Sequence, residues 1–178
     1  MFTVEEACLV VIDIQGKLAS IVDQSEAMIS NVAKLVRGIQ ALDIPIIWLE
    51  QNPTRLGGTN PEIAQHMKGQ PIAKMAFNAL LEKDVHEAVK ATGRSKFILT
   101  GIETHICVYQ TACALKEQGY EVEVVVDAVS SRYKESKEIG LAKMQALGIL
   151  PTNTEMILYE LLKTTDHEQF KTILKLVK

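Results

Sequence analysis

KFILTGIETHICVYQTACALKEQG, residues 96–119, is the stretch whose reading decides the fold. Lys96-Phe-Ile-Leu-Thr100 is short, apolar, bounded at Gly101, and reads as a buried strand. Thr104 is a good N-cap residue and Gly119 a good C′ glycine, so a helix is expected between them. With Thr104 as cap, Cys107 stands at N3, in the first helical turn. Unpaired backbone N–H groups and the positive end of the helix dipole favour thiolate there. The stretch admits two readings of Cys107: a nucleophile, or a small core residue, since free cysteine is commonly buried.

Outward from this unit the chain repeats the same alternation. Ala7–Ile12 (ACLVVI) is a continuous apolar run, as expected of a strand covered on both faces, and ends at Asp13. Asp23 or Ser25 is expected to cap a helix to about Ala41, with Met28, Val32, Leu35, Val36 and Ile39 as its apolar stripe. Ile44–Leu49 is the second strand, with Trp48 read as core rather than as a ligand contact. Residues 50–61 (EQNPTRLGGTNP) are the longest run of turn formers and read as a functional loop or lid over a strand end. Pro61 starts a short helix to Met67, a third strand ends near Lys74, and Asn78 caps a helix closed by Gly93.

Beyond Gly119, Glu121–Val126 is a fifth strand ending at Asp127. The following helix carries Ile139, Leu141, Met144 and Leu147, and Ile149–Thr152 is a sixth, weakly marked strand. Thr154 and Asp166 are expected to cap the last two helices. Strand and helix alternate without repeats or low-complexity segments, which predicts one α/β domain over residues 1–178, in three α/β/α layers around a mostly parallel sheet.

Composition bounds the function. The chain of 178 residues can bury about 70% of its unfolded surface. Net charge is −3 with cations scattered among acids, which argues against nucleic acid as a partner. The acidic N-terminus leads into a short apolar run that suits neither a signal peptide nor a membrane span. Cys8, Cys107 and Cys113 form no even framework and no CxxC pair, so a reducing, cytoplasmic location is expected.

In open α/β sheets ligands bind at the carboxyl ends of the strands. Asp13, Glu50 with Gln51, Lys74, the 101–107 segment and Asp127 are expected there. An ordinary Asp is a poor base for an ordinary thiol: the gap of about 4.6 pKa units opposes proton transfer by roughly 6 kcal/mol. Asp13 therefore serves as base only if burial raises its pKa, or if the helix terminus and Lys74 lower that of Cys107. Cys107 is expected to be the fastest-reacting of the three thiols, because it alone combines a helix N-terminus with a nearby lysine. No GxGxxG follows the first strand and no P-loop is present.

Asp13 within VVIDIQ, Lys74 after a short third strand, and Gly-Ile-Glu-Thr-His-Ile-Cys107-Val together resemble the isochorismatase-like cysteine hydrolases. The resemblance runs over essentially the whole chain. Leu-Glu-Gln-Asn-Pro with Leu-Gly-Gly-Thr, Asp-Ala-Val-Ser-Ser-Arg132 and Leu-Pro-Thr-Asn-Thr-Glu155 are most similar to the isochorismatase domain-containing subgroup. It implies a six-stranded parallel sheet of order 3-2-1-4-5-6 and a catalytic triad of Asp13, Lys74 and Cys107. It also implies a cis peptide between Ile102 and Glu103, an oxyanion hole from the backbone N–H groups of Glu103 and Cys107, and a homo-oligomer, dimer or tetramer. The implied activity is hydrolysis of an amide-type C–N bond in a small molecule through a Cys107 thioester.

The sequence departs from the family's nicotinamidases, whose Asp-x-His metal cluster after the second strand is replaced by Glu50-Gln51-Asn52-Pro53. No metal and no cofactor are therefore expected, and no membrane partner. Retention of Cys107 argues against the alternative of vinyl-ether hydrolysis, which needs no thiol. The intact Asp–Lys–Cys set argues against a non-catalytic interaction domain. Leu18, Gln51, Leu56, Phe77, Ile102 and His105 are the candidate pocket residues, by their position near strand ends.

Overall fold

The computed structural model describes residues 1–178. Six parallel strands form one sheet: β1 (Ala7–Ile12), β2 (Ile46–Gln51), β3 (Ile72–Lys74), β4 (Lys96–Ile102), β5 (Glu121–Ser130) and β6 (Leu150–Thr152). Their order is 3-2-1-4-5-6, as the resemblance implied. The reversal on either side of β1 places the carboxyl ends of β1 and β4 at the switch point, where such sheets open a crevice. Six helices belong to the flanking layers: α1 (Gly16–Ile21), α2 (Ser25–Ala41), α3 (Pro53–Leu56), α4 (Pro61–Ala64), α5 (Lys83–Ala91) and α6 (Tyr109–Glu117), and three more follow: α7 (Lys134–Ala146), α8 (Thr154–Leu162) and α9 (Phe170–Val177).

The period of two along each strand divides the apolar residues between two cores. Leu9, Val11, Ile98 and Val125 join Val32, Leu35, Ile39, Leu158 and Ile173 on one face. Cys8, Val10, Phe97, Leu99 and Val124 join Val85, Val89, Leu115 and Met144 on the other. All six residues of β1 and all seven of β4 are buried, which explains their unbroken apolar runs.

Several expected boundaries shift for local reasons. Strand β2 begins at Ile46, not Ile44, because Pro45 has no N–H for the ladder, although its carbonyl still accepts from Leu9 N. Neither Asp23 nor Ser25 caps α2: Gln24 holds the cap position at φ 49°, and Ser25 Oγ instead donates to Ala19 O of the unforeseen helix α1. Asn78 caps a 3₁₀ turn, Ala79–Leu81, ahead of α5. Asn153 rather than Thr154 caps α8, accepting from Met156 N, and α9 begins at Phe170, four residues beyond Asp166. Helix α7 turns Gly140 and Met144 inward and leaves Ile139 and Leu147 exposed, since a Cβ at Gly140 would meet His105 Cα at 3.0 Å.

The fifth strand does not end at Asp127. It continues to Ser130 through a bulge, in which Leu99 pairs Val124 but Gly101 pairs Val129. The extra residues leave the ladder, as bulges require. Asp127 then turns away from the carboxyl edge, and its Oδ1 accepts from both Thr154 N and Thr154 Oγ1 at 2.9 Å. It anchors α8 and is not part of the crevice.

Gly101 is where β4 approaches β1 too closely for any side chain. Its φ is +133°, and a Cβ there would lie 2.1 Å from Ile12 O. Gly101→Ala is expected to destabilise by about 3 kcal/mol or more, through both backbone strain and collision. Gly93→Ala, at φ +64° with nothing within 4 Å, is expected to lose only about 1 kcal/mol. Urea denaturation of the two variants checks the contrast.

Candidate active site

Asp13 follows β1 directly and takes a left-handed φ of 55°, uncommon for a residue with a side chain. Lys74 ends β3, two strands away, with Gln51 of β2 in register between them. Two interstrand spacings are about 9–10 Å, a gap that only a long side chain crosses. The Lys74 ammonium reaches Asp13 Oδ2 at 2.7 Å and donates to Gln51 Oε1 at 2.6 Å and Ala76 O at 3.1 Å. Asp13, Lys74 and Cys107 are 3%, 1% and 7% exposed.

The Ile102–Glu103 peptide is cis. The chain then winds through a single π turn, Thr104–Val108, before α6. Val108 N donates to Glu103 O at 3.3 Å, five residues back, and Ile106 N donates to the same oxygen at 3.1 Å. Thr104 is therefore not the N-cap. Glu103 takes that position in extended backbone, and the buried Thr104 Oγ1 has no hydrogen-bond partner. Cys107 lies within this wide turn rather than at N3 of a regular helix.

The electrostatics reverse one expectation. Burial first, and the adjacent Asp13 carboxylate second, push the Cys107 thiol up to about 12, with Lys74 opposing both. The helix terminus and the ammonium therefore do not win, and the resting side chain is a neutral thiol. Asp13 is also raised, by burial first, against the lowering effects of Lys74 and of the Cys107 thiol. Of the two conditions set for Asp13 as a base, burial supplies the first by raising the carboxylate, while the second, a lowered thiol, is not met. Asp13 Oδ1 lacks a hydrogen-bond partner, and the Lys74 contact on Oδ2 is an ion pair rather than a directed hydrogen bond. The carboxylate thus has open acceptor capacity, which a buried group rarely keeps without a role.

The candidate pocket residues separate into three groups. Gln51 belongs to the cluster, since its amide accepts from Lys74 and donates to Met75 O. His105 is half-buried, with Nδ1 2.9 Å from Ser131 Oγ. Ile102 is fully buried in the core, and Leu18 is partly buried and packs against that same core. Leu56, the last residue of α3, and Phe77, on the loop after β3, are exposed side chains.

Three further side chains hold the site and were not singled out by sequence. Gln15, fully buried, accepts from Gln51 N at 2.6 Å and donates to Gln51 O and Gly57 O, fixing the backbone that presents the Gln51 amide. Its signal was a lone amide in the apolar run after Asp13. Glu82 Oε1 accepts from Met75 N and Ala76 N and so braces the segment after Lys74. Glu103 Oε1 accepts from Arg132 N and Nε, tying the β5–α7 loop to the π turn. Glu50 is a loop anchor: its Oε1 accepts from Thr59 N and Thr59 Oγ1, folding the 52–60 segment back over the end of β1. No group of three or more His, Cys, Asp or Glu side chains has the arrangement of a metal site.

The fold and this cluster define an α/β protein of the isochorismatase type. The isochorismatase domain model matches residues 7–156, and the chain belongs to that family. Isochorismatase domain-containing protein 2 of Danio rerio is 36% identical over 95% of this chain and 85% of its own. The MAR1 ribonuclease structure from Caenorhabditis elegans is 33% identical, with a TM-score of 0.93 over 99% of this chain and 91% of its own. Two YcaC structures superpose with a TM-score of 0.91 over 98% of this chain. One, from Pseudomonas aeruginosa, carries covalent acrylamide, at 26% identity over 90% of its length. The other, from Escherichia coli, is described as an octameric hydrolase of unknown specificity, at 25% identity over 89%. Family membership supports a hydrolase. No helix is long and apolar enough to cross a membrane.

A thiol held near 12 ionises only in strong base. The alkylation rate of Cys107 by iodoacetamide is therefore expected to climb about tenfold per pH unit from pH 7 to 9, without a plateau. Peptide mapping of the labelled cysteine gives the profile. A plateau near pH 8 would show an activated resting thiolate.

Proposed function

We propose that the protein is a metal-independent cysteine hydrolase that cleaves an amide-type C–N bond of a small molecule. The observation that carries this reading is the buried cluster in which Lys74 pairs with Asp13 while the Cys107 thiol interacts with that same carboxylate. Asp13 is the general base and acid, Cys107 the nucleophile and Lys74 their electrostatic partner.

The thiol proton passes to Asp13 as Sγ attacks the carboxamide carbon. Negative charge then moves from the carboxylate to sulfur and on to the substrate oxygen. Lys74 remains beside Asp13 and Cys107 throughout, so the charge transfer needs little rearrangement of the surroundings. The backbone N–H groups of Glu103 and Cys107 receive the developing oxyanion. The C–N bond breaks as Asp13 returns its proton to the leaving amine, giving a Cys107 thioester. Water then attacks the thioester, loses its proton to Asp13, and releases the carboxylic acid with Cys107 protonated again. The bound acrylamide of the P. aeruginosa neighbour supports a reactive group in this type of fold.

Metal independence rests on the fate of the residues after β2. Glu50 is committed to Thr59 and Gln51 to Lys74, so the two polar side chains at the end of β2 serve the protein's own loops and lysine. The ribonuclease name of the C. elegans neighbour is not carried over, because a closed triad and a net charge of −3 do not suit a polyanionic chain. A homo-oligomer in a reducing, cytoplasm-like setting completes the reading.

Two variants divide the roles. Cys107→Ala is expected to abolish turnover and the acyl adduct seen by intact-mass spectrometry with a carboxamide panel. Asp13→Asn is expected to lower kcat at least about a hundredfold. The same variant should alkylate Cys107 faster than wild type at neutral pH, because it removes the charge that raises the thiol. If Asp13→Asn left turnover unchanged, Asp13 would not be the base. Persistence of turnover in Cys107→Ala would point instead to ether hydrolysis.

A further inference from the structure

A groove of about 500 Å³ is lined from α2, α4 and α9. Lys34 and Arg37 line it from α2, Lys171 and Lys175 from α9, and His66 from the turn after α4; Glu62 is its one acid. The chain as a whole is acidic, so four cations around one groove run against its charge balance. None of the four belongs to any of the protein's ion pairs.

The placement is unfavourable for the protein alone. Lys34 with Arg37 is an i,i+3 pair and Lys171 with Lys175 an i,i+4 pair, so like charges repel along each helix. Lys171 also sits in the first turn of α9, where the helix dipole disfavours a cation. Lys175, in the last turn, has an ordinary explanation in that dipole, and Lys34 also lines a neighbouring cavity with Asp127 and Glu155; Arg37 and Lys171 have neither.

We propose that this groove binds a small polyanion carrying two or more phosphate groups. Two cation pairs from two helices, with an arginine fork among them, match several phosphate oxygens presented together. The volume is that of a small-molecule site. His66 is the one ring in the lining, with no Phe, Tyr or Trp beside it, so the groove offers no run of rings on which successive bases of a nucleic acid would stack. The proposal is independent of the amide-hydrolase reading, since no residue of the Asp13 cluster lines the groove.

Isothermal titration of the full chain with tripolyphosphate at low salt, against sulfate at matched ionic strength, tests it. The expected result is saturable binding of tripolyphosphate near one per chain, well above that of sulfate. Arg37→Glu and Lys171→Glu, both at exposed positions, are expected to weaken it at least about tenfold each. Lys83→Glu, on α5 outside the groove, should leave it unchanged. Unaltered melting temperatures without ligand would show that the variants remain folded. The proposal is overturned by an absence of saturable binding, by equal binding of sulfate, or by affinity that survives both charge reversals. Tighter binding of a single-stranded oligonucleotide through the same residues would also overturn it in favour of a nucleic-acid surface.

Discussion

The contact between the Lys74 ammonium and the Asp13 carboxylate is the constraint on which the site depends. Both groups are almost fully buried, and neither would remain charged there alone. Removal of one partner from a buried pair leaves an uncompensated charge and typically costs about 3–5 kcal/mol. The pair crosses from the outer strand β3 to the central strand β1, so it also fixes the crevice edge of the sheet. Gln51, lying between them, supplies an acceptor to Lys74 and is itself held by Gln15. A hydrogen-bonded chain of amides thus places one charge on another.

Desolvation then decides the chemistry. In water a helix-terminal cysteine beside a lysine would be expected to lose its proton readily. Here burial raises both the thiol and the carboxylate, and the nearby Asp13 charge adds to the rise of the thiol. The consequence is a resting site in which Cys107 is a neutral thiol beside the Lys74–Asp13 pair. A thiol of this kind is inert until a carbonyl is placed against it, which suits an enzyme that must not react indiscriminately. The wide π turn around Cys107 and the tie from Glu103 to Arg132 hold the backbone on which that thiol rides.

The segments after the strands are braced by one shared device, carboxylates that accept from backbone N–H groups. Glu50 serves the 52–60 segment and Glu82 the segment after Lys74. Asp127 serves the start of α8. In sequence these acids looked alike, each standing close to a strand end. Their roles differ because the bulge in β5 and the return of the 52–60 loop decide which of them meets a backbone donor and which, as with Asp13, keeps free acceptor capacity.

The sequence by itself determined the class of fold, because buried parallel strands must be apolar on both faces and must alternate with helices that return the chain. It also determined that Asp13, Lys74 and Cys107 stand at or just beyond strand ends, and the strand order followed from resemblance. Propensity could not place the caps of α2, α8 and α9, nor the inward face of α7, because tertiary partners outbid local preference there. Leu18 and Ile102 were assigned to a pocket by nearness in sequence to strand ends, and packing places Ile102 in the core and Leu18 against it. Only the tertiary structure decided the protonation of the site and the bracing by Gln15, Glu82 and Glu103. Proton affinity depends on the depth of burial and on charges brought together from distant strands, and no local pattern of residues records either.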